Sequence, residues 1–268
     1  MTGPSVGLRA NGRIISEKVD SSSRSLYRVG AAAALIAALV FRRNLGAAEI
    51  PSFTGVAPPN NVVGWFTLLH NNSLLGLALL NVFDIADYAL VGLMFLAVFV
   101  VLRRASKSCT LIAAALAFFG AVVYILSNSA LSMFSLSNQY AIATNEAERS
   151  TLLATGQAVL ANGYNPGALY QSAGFYVSLF LMAVAGLLMS AVMLRTSVFG
   201  KATTYVGIVA CVLDLVYLVG LVFVPQTWVY VLSVACIATA GLFLMVWHLM
   251  IGVKLFRLGS KSQGGVNL

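Results

Sequence analysis

Apolar runs long enough to cross a lipid bilayer recur along this chain, and short clusters of Lys and Arg stand beside them. A spanning helix needs about 20 mostly apolar residues, because the hydrocarbon core of a bilayer is roughly 30 Å thick. Composition closes off the aqueous alternative: of 268 residues 60% are hydrophobic and 9% are charged, with a mean hydropathy of +0.91. Soluble chains carry roughly a quarter charged residues, and a fold of the present make-up could not cover its surface in water. The sequence therefore specifies an all-α, polytopic transmembrane bundle. Its net charge of +8 does not point to nucleic acid, because the basic residues flank apolar runs instead of lining one face.

The organisation follows from the punctuation. Residues 1–25 form a polar tail, 26–256 a single transmembrane domain and 257–268 a second polar tail. The first span, Leu26 to Phe41, is short and stops at Arg42-Arg43, so its flanks must snorkel or the bilayer must thin around it. Pro51, Pro58 and Pro59 break the chain, and Asn61 can cap a helix that His70, Asn71, Asn72 and Ser73 interrupt, which reads as an interfacial or re-entrant piece. The second span ends at Leu102 and begins between Leu74 and Phe83; no turn is expected at Leu80-Asn81. The third runs from Cys109 to Leu136 with a polar outer end, the fourth from Leu169 to Leu194, the fifth from Lys201 to Val224 and the sixth from Trp228 to Val253.

Between the third and fourth spans, Asn145 with Glu148 makes a capping box, and Leu152, Leu153 and Leu160 share one face, predicting an amphipathic helix on the outer surface that Gly163 closes. Six spans keep both basic ends on one side. That side also holds Arg103, Arg104, Lys107, Arg195, Lys201, Lys254 and Arg257, so both termini are expected in the cytoplasm, with the bundle in the cell membrane among its lipids.

Polar residues stranded in apolar surroundings are the candidate sites. Asp214 lies near the middle of the fifth span between Leu213 and Leu215. A carboxylate at that depth costs about 2.5–3.5 kcal/mol on insertion scales, so it faces the bundle interior and is expected to hold a proton. Tyr217, one turn away, and Tyr124 and Ser233 from other helices are its expected partners. Either a proton or ligand site or a neutral packing contact satisfies this pattern.

Asp84 and Asp87 share one side of the second span, with Asn81 and Tyr88 near. Arg42 and Arg43 are expected at the same outer level, giving either an ion-pair cluster or, with Asn128 and Ser132, a solute entrance. His70 and His248 are expected at opposite ends, His248 as an interfacial residue, so bis-histidine haem is disfavoured; no metal-ligand spacing, phosphate loop or other cofactor motif is present. Cys109, Cys211 and Cys236 read as small hydrophobes.

The stretch Arg195-Thr196-Ser197-Val198-Phe199-Gly200-Lys201, running into Tyr205, Gly207 and Tyr217, resembles the junction of the fourth and fifth spans in the bacterial domain-of-unknown-function 4386 family. Trp247, Gly252, Leu255, Arg257 and Leu258 resemble the end of that family's last helix. The resemblance spans Leu26 to Gly259 and implies six spans but no activity. Three readings stay open: a non-catalytic membrane partner or sensor that packs against another membrane protein or its own copy, a small-solute or proton-coupled transporter using Asp214, and a membrane-embedded enzyme acting on lipid.

Overall fold

The computed structural model describes residues 24–40, 57–162, 172–223 and 227–260, and among them every regular element is an α-helix. In chain order these are α1 (24–40), α2 (Val62–Asn71), α3 (Ser73–Leu79), α4 (Val82–Leu102), α5 (Lys107–Ser127), α6 (Ala130–Ile142), α7 (Glu146–Asn162), α8 (Ala173–Leu194), α9 (Lys201–Phe223) and α10 (Thr227–Ser260). Five helical stretches among the described residues are long and apolar enough to cross a membrane, lying in α4, α5 with α6, α8, α9 and α10. Their outward faces stay apolar: Leu111, Phe118, Phe119 and Leu126 are exposed on α5, as are Val209, Val212, Val216 and Val219 on α9. Such faces are stable against lipid and not against water.

The helices form two packed groups. In the bundle α5 lies between α4 and α8, and α9 between α8 and α10. Helix α1 fills the remaining side, where Ala31, Ala34 and Ala37 join Ala97 of α4 and Ile251 and Leu255 of α10 in one core. Small residues govern the contacts, as they do wherever helices associate in lipid without a hydrophobic driving force. A Cβ added at Gly186 of α8 would collide with the Cys211 sulfur of α9, and one at Gly252 would stand 2.9 Å from Leu35 Cγ of α1.

The second group, a crown, consists of α2, α3, α6 and α7 around Trp65, Phe66, Leu69, Leu79, Leu80, Met133 and Leu160. Ser137 ties α6 to α2 by donating to the Phe66 carbonyl at 2.9 Å, and Gly156 of α7 lets Val62 and Phe66 approach. The segment expected to form the amphipathic helix is helical as α7, with Leu152, Gly156 and Leu160 buried. Asn145 Oδ1 accepts from the Glu148 amide at 2.8 Å, while Glu148 reaches back to the Thr144 amide at 3.3 Å, one residue before the expected partner. Gly163 and Val224 to Gln226 lie outside the described residues.

The structure corrects two boundaries. A turn does stand at Leu80-Asn81: Asn81 adopts φ 56°, ψ 41° and starts α4 at Val82. Asparagine tolerates this left-handed conformation better than most residues, so the run of leucines on its N-terminal side concealed a real break. The helix expected to run unbroken from Cys109 to Leu136 is interrupted at Asn128 and Ser129: α5 ends at Ser127 and the polar continuation is α6, which packs in the crown. Neither break adds a span, since α2 and α3 are too short to cross.

Short connections fold the helices so that charge separates. The α4–α5 and α8–α9 turns and the C-terminal end of α10 share one end of the bundle, where Arg103, Arg104, Lys107, Arg195, Lys201, Lys254 and Arg257 collect. Gly259 packs on Arg28, so the start of α1 joins that basic end. At the crown end the described basic residues are Arg149, 3.7 Å from Glu146, and His70.

Candidate functional site

A polar layer crosses the bundle in its crown-side half. Counting from the basic end at 1.5 Å per residue, Asp87 and Tyr88 of α4 and Asp214 of α9 stand roughly 20–22 Å along their helices, with Asp84, Tyr124, Ser178 and Tyr217 within a further turn. The helical period produces the convergence. On α9, Gly207, Cys211, Asp214 and Tyr217 recur at three- and four-residue intervals and form its buried stripe; on α4, Asp87, Val91, Met94, Val98 and Leu102 do the same. Each carboxyl therefore lies on the face its helix must bury to pack.

Two interactions hold the layer together. Tyr124 donates its hydroxyl to Asp84 Oδ2 at 2.7 Å, joining α5 to α4. The rings of Tyr124 and Tyr88 stack face to face, with centroids 3.9 Å apart and planes 3° from parallel. Tyr88 is within electrostatic reach of Asp84, Asp87 and Asp214 and within hydrogen-bond reach of Ser178, whose own hydroxyl donates to the Gly120 carbonyl at 2.8 Å. Tyr88 thus joins α4 to α5 through the ring stack, next to Asp84 and Asp87 on its own helix. The sequence placed it beside Asp84 and Asp87 but not beside Asp214; Ser178 carried no signal beyond being a serine in an apolar run.

Asp87 is 4% exposed and Asp214 is 3% exposed. Oxygen Oδ1 of each is buried with no hydrogen-bond partner among the described residues. A buried polar atom left without a partner costs about 1–3 kcal/mol, and more when charged. No His, Lys or Arg of the described residues stands in the layer, and no group of three or more His, Cys, Asp or Glu among them is spaced to hold a metal ion.

Several expected site residues take other positions. Asn128 is buried and works on the backbone: Nδ2 donates to the Asn81 carbonyl at 3.1 Å, and Oδ1 accepts from the Ala130 amide at 3.0 Å. It stitches the two helix breaks together at the crown edge. Ser132 is exposed on α6. Tyr217 is buried against Leu179 with Phe175 and Tyr176 around it. Arg42 and Arg43 lie outside the described residues, as does the side chain of Ser233. His248 is 3% exposed inside the bundle, its ring 5.7 Å from that of Trp247, so it is a core residue and not an interfacial one.

A smaller polar spot lies nearer the basic end. Ser190 Oγ and Trp247 Nε1 are buried without partners among the described residues, and both crowd the Cα of Gly207. Comparison with protein-family models, with curated proteins and with solved structures finds no match for this chain.

Proposed function

We propose that this chain is a six-span protein of the cell membrane, with both termini cytoplasmic, that moves a small solute or protons through its bundle using Asp214. Helix α1, 17 residues in its described part, supplies the sixth crossing at about 26 Å. The basic end is assigned to the cytoplasm by the excess of Lys and Arg there. The crown, with α7, then covers the outer ends of α4 and α5. The resemblance to the domain-of-unknown-function 4386 family agrees with this arrangement and leaves activity open.

The observation that carries the transport reading is the buried Oδ1 of both Asp87 and Asp214, without a hydrogen-bond partner among the described residues and at similar depth. A carboxyl retained only for packing is expected to have both oxygens satisfied by neighbouring helices. Intramembrane acids facing a bundle interior commonly mark proton or ion paths. Binding a proton or cation from the crown side and releasing it toward the basic end needs such a group near the midplane.

The test is flux in vesicles reconstituted from the full chain, with a pH-sensitive dye trapped inside. An imposed gradient should dissipate through the wild type and not through Asp214→Asn; undiminished dissipation in Asp214→Asn refutes the assignment. If that variant is silent and the chain instead co-purifies stoichiometrically with another membrane protein, the partner or sensor reading replaces this one. Orientation is checked separately: a cysteine at Ser106 should react with an impermeant maleimide from the cytoplasmic side only, and one at Thr151 from the opposite side only.

A further inference from the structure

We propose that the seam between α1 and α10 binds an anionic phospholipid, its phosphate held by Arg28 and Arg257 and its acyl chains laid along the exposed apolar faces of the two helices. The site stands apart from the polar layer and does not depend on Asp214.

Two glycines fix the seam. A Cβ on Gly252 would stand 2.9 Å from Leu35 Cγ, and one on Gly259, two turns further along α10, would stand 3.2 Å from Arg28 Cγ. Leu35 and Arg28 are two turns apart in the opposite sense, so the helices touch as an antiparallel pair and Arg28 lays its aliphatic stem across Gly259. Gly259 is two residues from Arg257, which puts Arg28 Cγ within roughly 10 Å of the Arg257 Cα. Two guanidinium arms can meet one headgroup across that span, each forking onto phosphate oxygens.

No described acid is placed to neutralise this end. Every described Asp and Glu lies in the polar layer or the crown, and the one described ion pair is Arg149 with Glu146. The segments leading into α1 and out of α10 bring Glu17 and Asp20, but also Arg9, Arg13, Lys18 and Lys261. A zwitterionic headgroup carries a cation of its own into this field, whereas a headgroup of net negative charge does not.

The surface beneath the arginines makes the partner an amphiphile. On α10 Leu242, Val246, Leu249, Val253 and Phe256 recur at three- and four-residue intervals and are exposed, and Arg257 follows Val253 by one turn. On α1 Val29, Ile36 and Leu39 are exposed, with exposed Arg28 at the basic end of the same helix. Each apolar face therefore leads up to a cation, the order of parts in a phospholipid from acyl chain to headgroup. A soluble phosphate would use the arginines and leave those faces uncovered.

Tryptophan fluorescence of the full chain in mixed detergent–lipid micelles tests the site. Phe256→Trp places a reporter on the seam, while Trp65 and Trp247 are fully buried, and the emission it adds to wild type is followed as acyl-brominated lipid is titrated. Brominated phosphatidylglycerol should quench that emission at a mole fraction roughly fivefold lower than brominated phosphatidylcholine, the size of one cation's attraction to an anionic lipid surface. Adding Arg28→Gln and Arg257→Gln should bring the two lipids to about the same mole fraction. Arg103→Gln with Arg104→Gln, on the α4–α5 turn, should leave the preference in place.

Equal quenching by the two lipids overturns the proposal. So does a preference that survives the loss of Arg28 and Arg257, or one that falls equally with Arg103 and Arg104, since charge spread over the whole basic end would then suffice. Relief of quenching by glycerol 3-phosphate as strong as by unlabelled phosphatidylglycerol also sinks it, because the headgroup alone would be the ligand. Should the double variant fail to fold, Arg28→Gln and Arg257→Gln are read singly, each expected to lose part of the preference.

Discussion

The Tyr124 hydroxyl donates to Asp84 Oδ2 at 2.7 Å while the Tyr124 ring lies flat on Tyr88, one helical turn along α4 from that same aspartate. One side chain of α5 therefore fixes the rotation of α4 in two ways, by a polar bond and by a stack. Tyr124→Phe separates them, since it removes the bond and keeps the ring. Hydrogen bonds between membrane helices contribute on average about 0.6 kcal/mol and at most about 1.7. The variant should therefore melt a few degrees lower in detergent, at roughly 2–4 °C per kcal/mol for a domain of 150–250 residues. Tyr124→Leu loses both contacts and should fall further; equal melting points for the two would show that the stack contributes nothing.

Close approach of α9 to α8 and α10 depends on Gly207. A Cβ there would overlap Trp247 Nε1 and stand 2.6 Å from Ser190 Oγ, and Trp247 is fully buried and cannot swing away cheaply. Gly207→Ala should destabilise by about 1–3 kcal/mol, the usual range for overpacking. Gly92 supplies the control: it sits in α4 with nothing within 4 Å of an added Cβ. Gly92→Ala should stabilise by about 0.5–1 kcal/mol through helix propensity alone. Thermal unfolding of the two variants side by side should move in opposite directions.

Asn81 joins the crown to the bundle in a left-handed backbone conformation, and its carbonyl accepts from both the Asp84 amide at 3.1 Å and Asn128 Nδ2 at 3.1 Å. Asn81→Gly keeps every one of those bonds and relieves the side-chain strain, so stability should hold or rise slightly. A β-branched residue cannot take this φ cheaply, and Asn81→Val should cost about 1–2 kcal/mol. Asn128→Ala removes the bond to the Ala130 amide at the start of α6 and the tie to Asn81 together and should cost about 1–2 kcal/mol. If all three variants melt alike, the junction does not hold the crown in place.

The long apolar helices were legible because length and apolarity alone specify them: α8 from Ala173 to Leu194 and α9 from Lys201 fall almost where the hydropathy puts them. The breaks at Asn81 and Asn128 were not legible as breaks. A single Asn in a leucine-rich stretch reads as a tolerated polar residue, and only the packing of Leu79 and Leu80 into the crown shows that the chain turns there. The candidate site shows the same division. Asp214, Asp84 and Asp87 announce themselves, since a charge in an apolar run is costly wherever it lies. Their relation to Tyr88 depends on how α4, α5 and α9 are rotated about their axes. No single helix carries that information in its own period, and the Tyr124–Asp84 bond joins residues 40 positions apart.

The last prediction separates a carboxyl kept for packing from one kept for activity. Asp214 is buried and its Oδ1 has no partner among the described residues, so the folded state bears the loss of its hydration without full return. Replacing a buried polar group of this kind by an apolar residue of similar volume is often neutral or stabilising, whereas removing a well-bonded structural group leaves its partners stranded. Asp214→Leu should accordingly melt at or above the wild-type temperature while losing gradient dissipation in vesicles. Leu keeps the branched heavy-atom outline of Asp, and Cys211 and Tyr217 lie one turn to either side on the buried stripe of α9. Activity lost with stability kept is what a functional acid gives. A melting point lowered by several degrees would instead make Asp214 part of the packing, and the transport reading would lose the residue on which it stands.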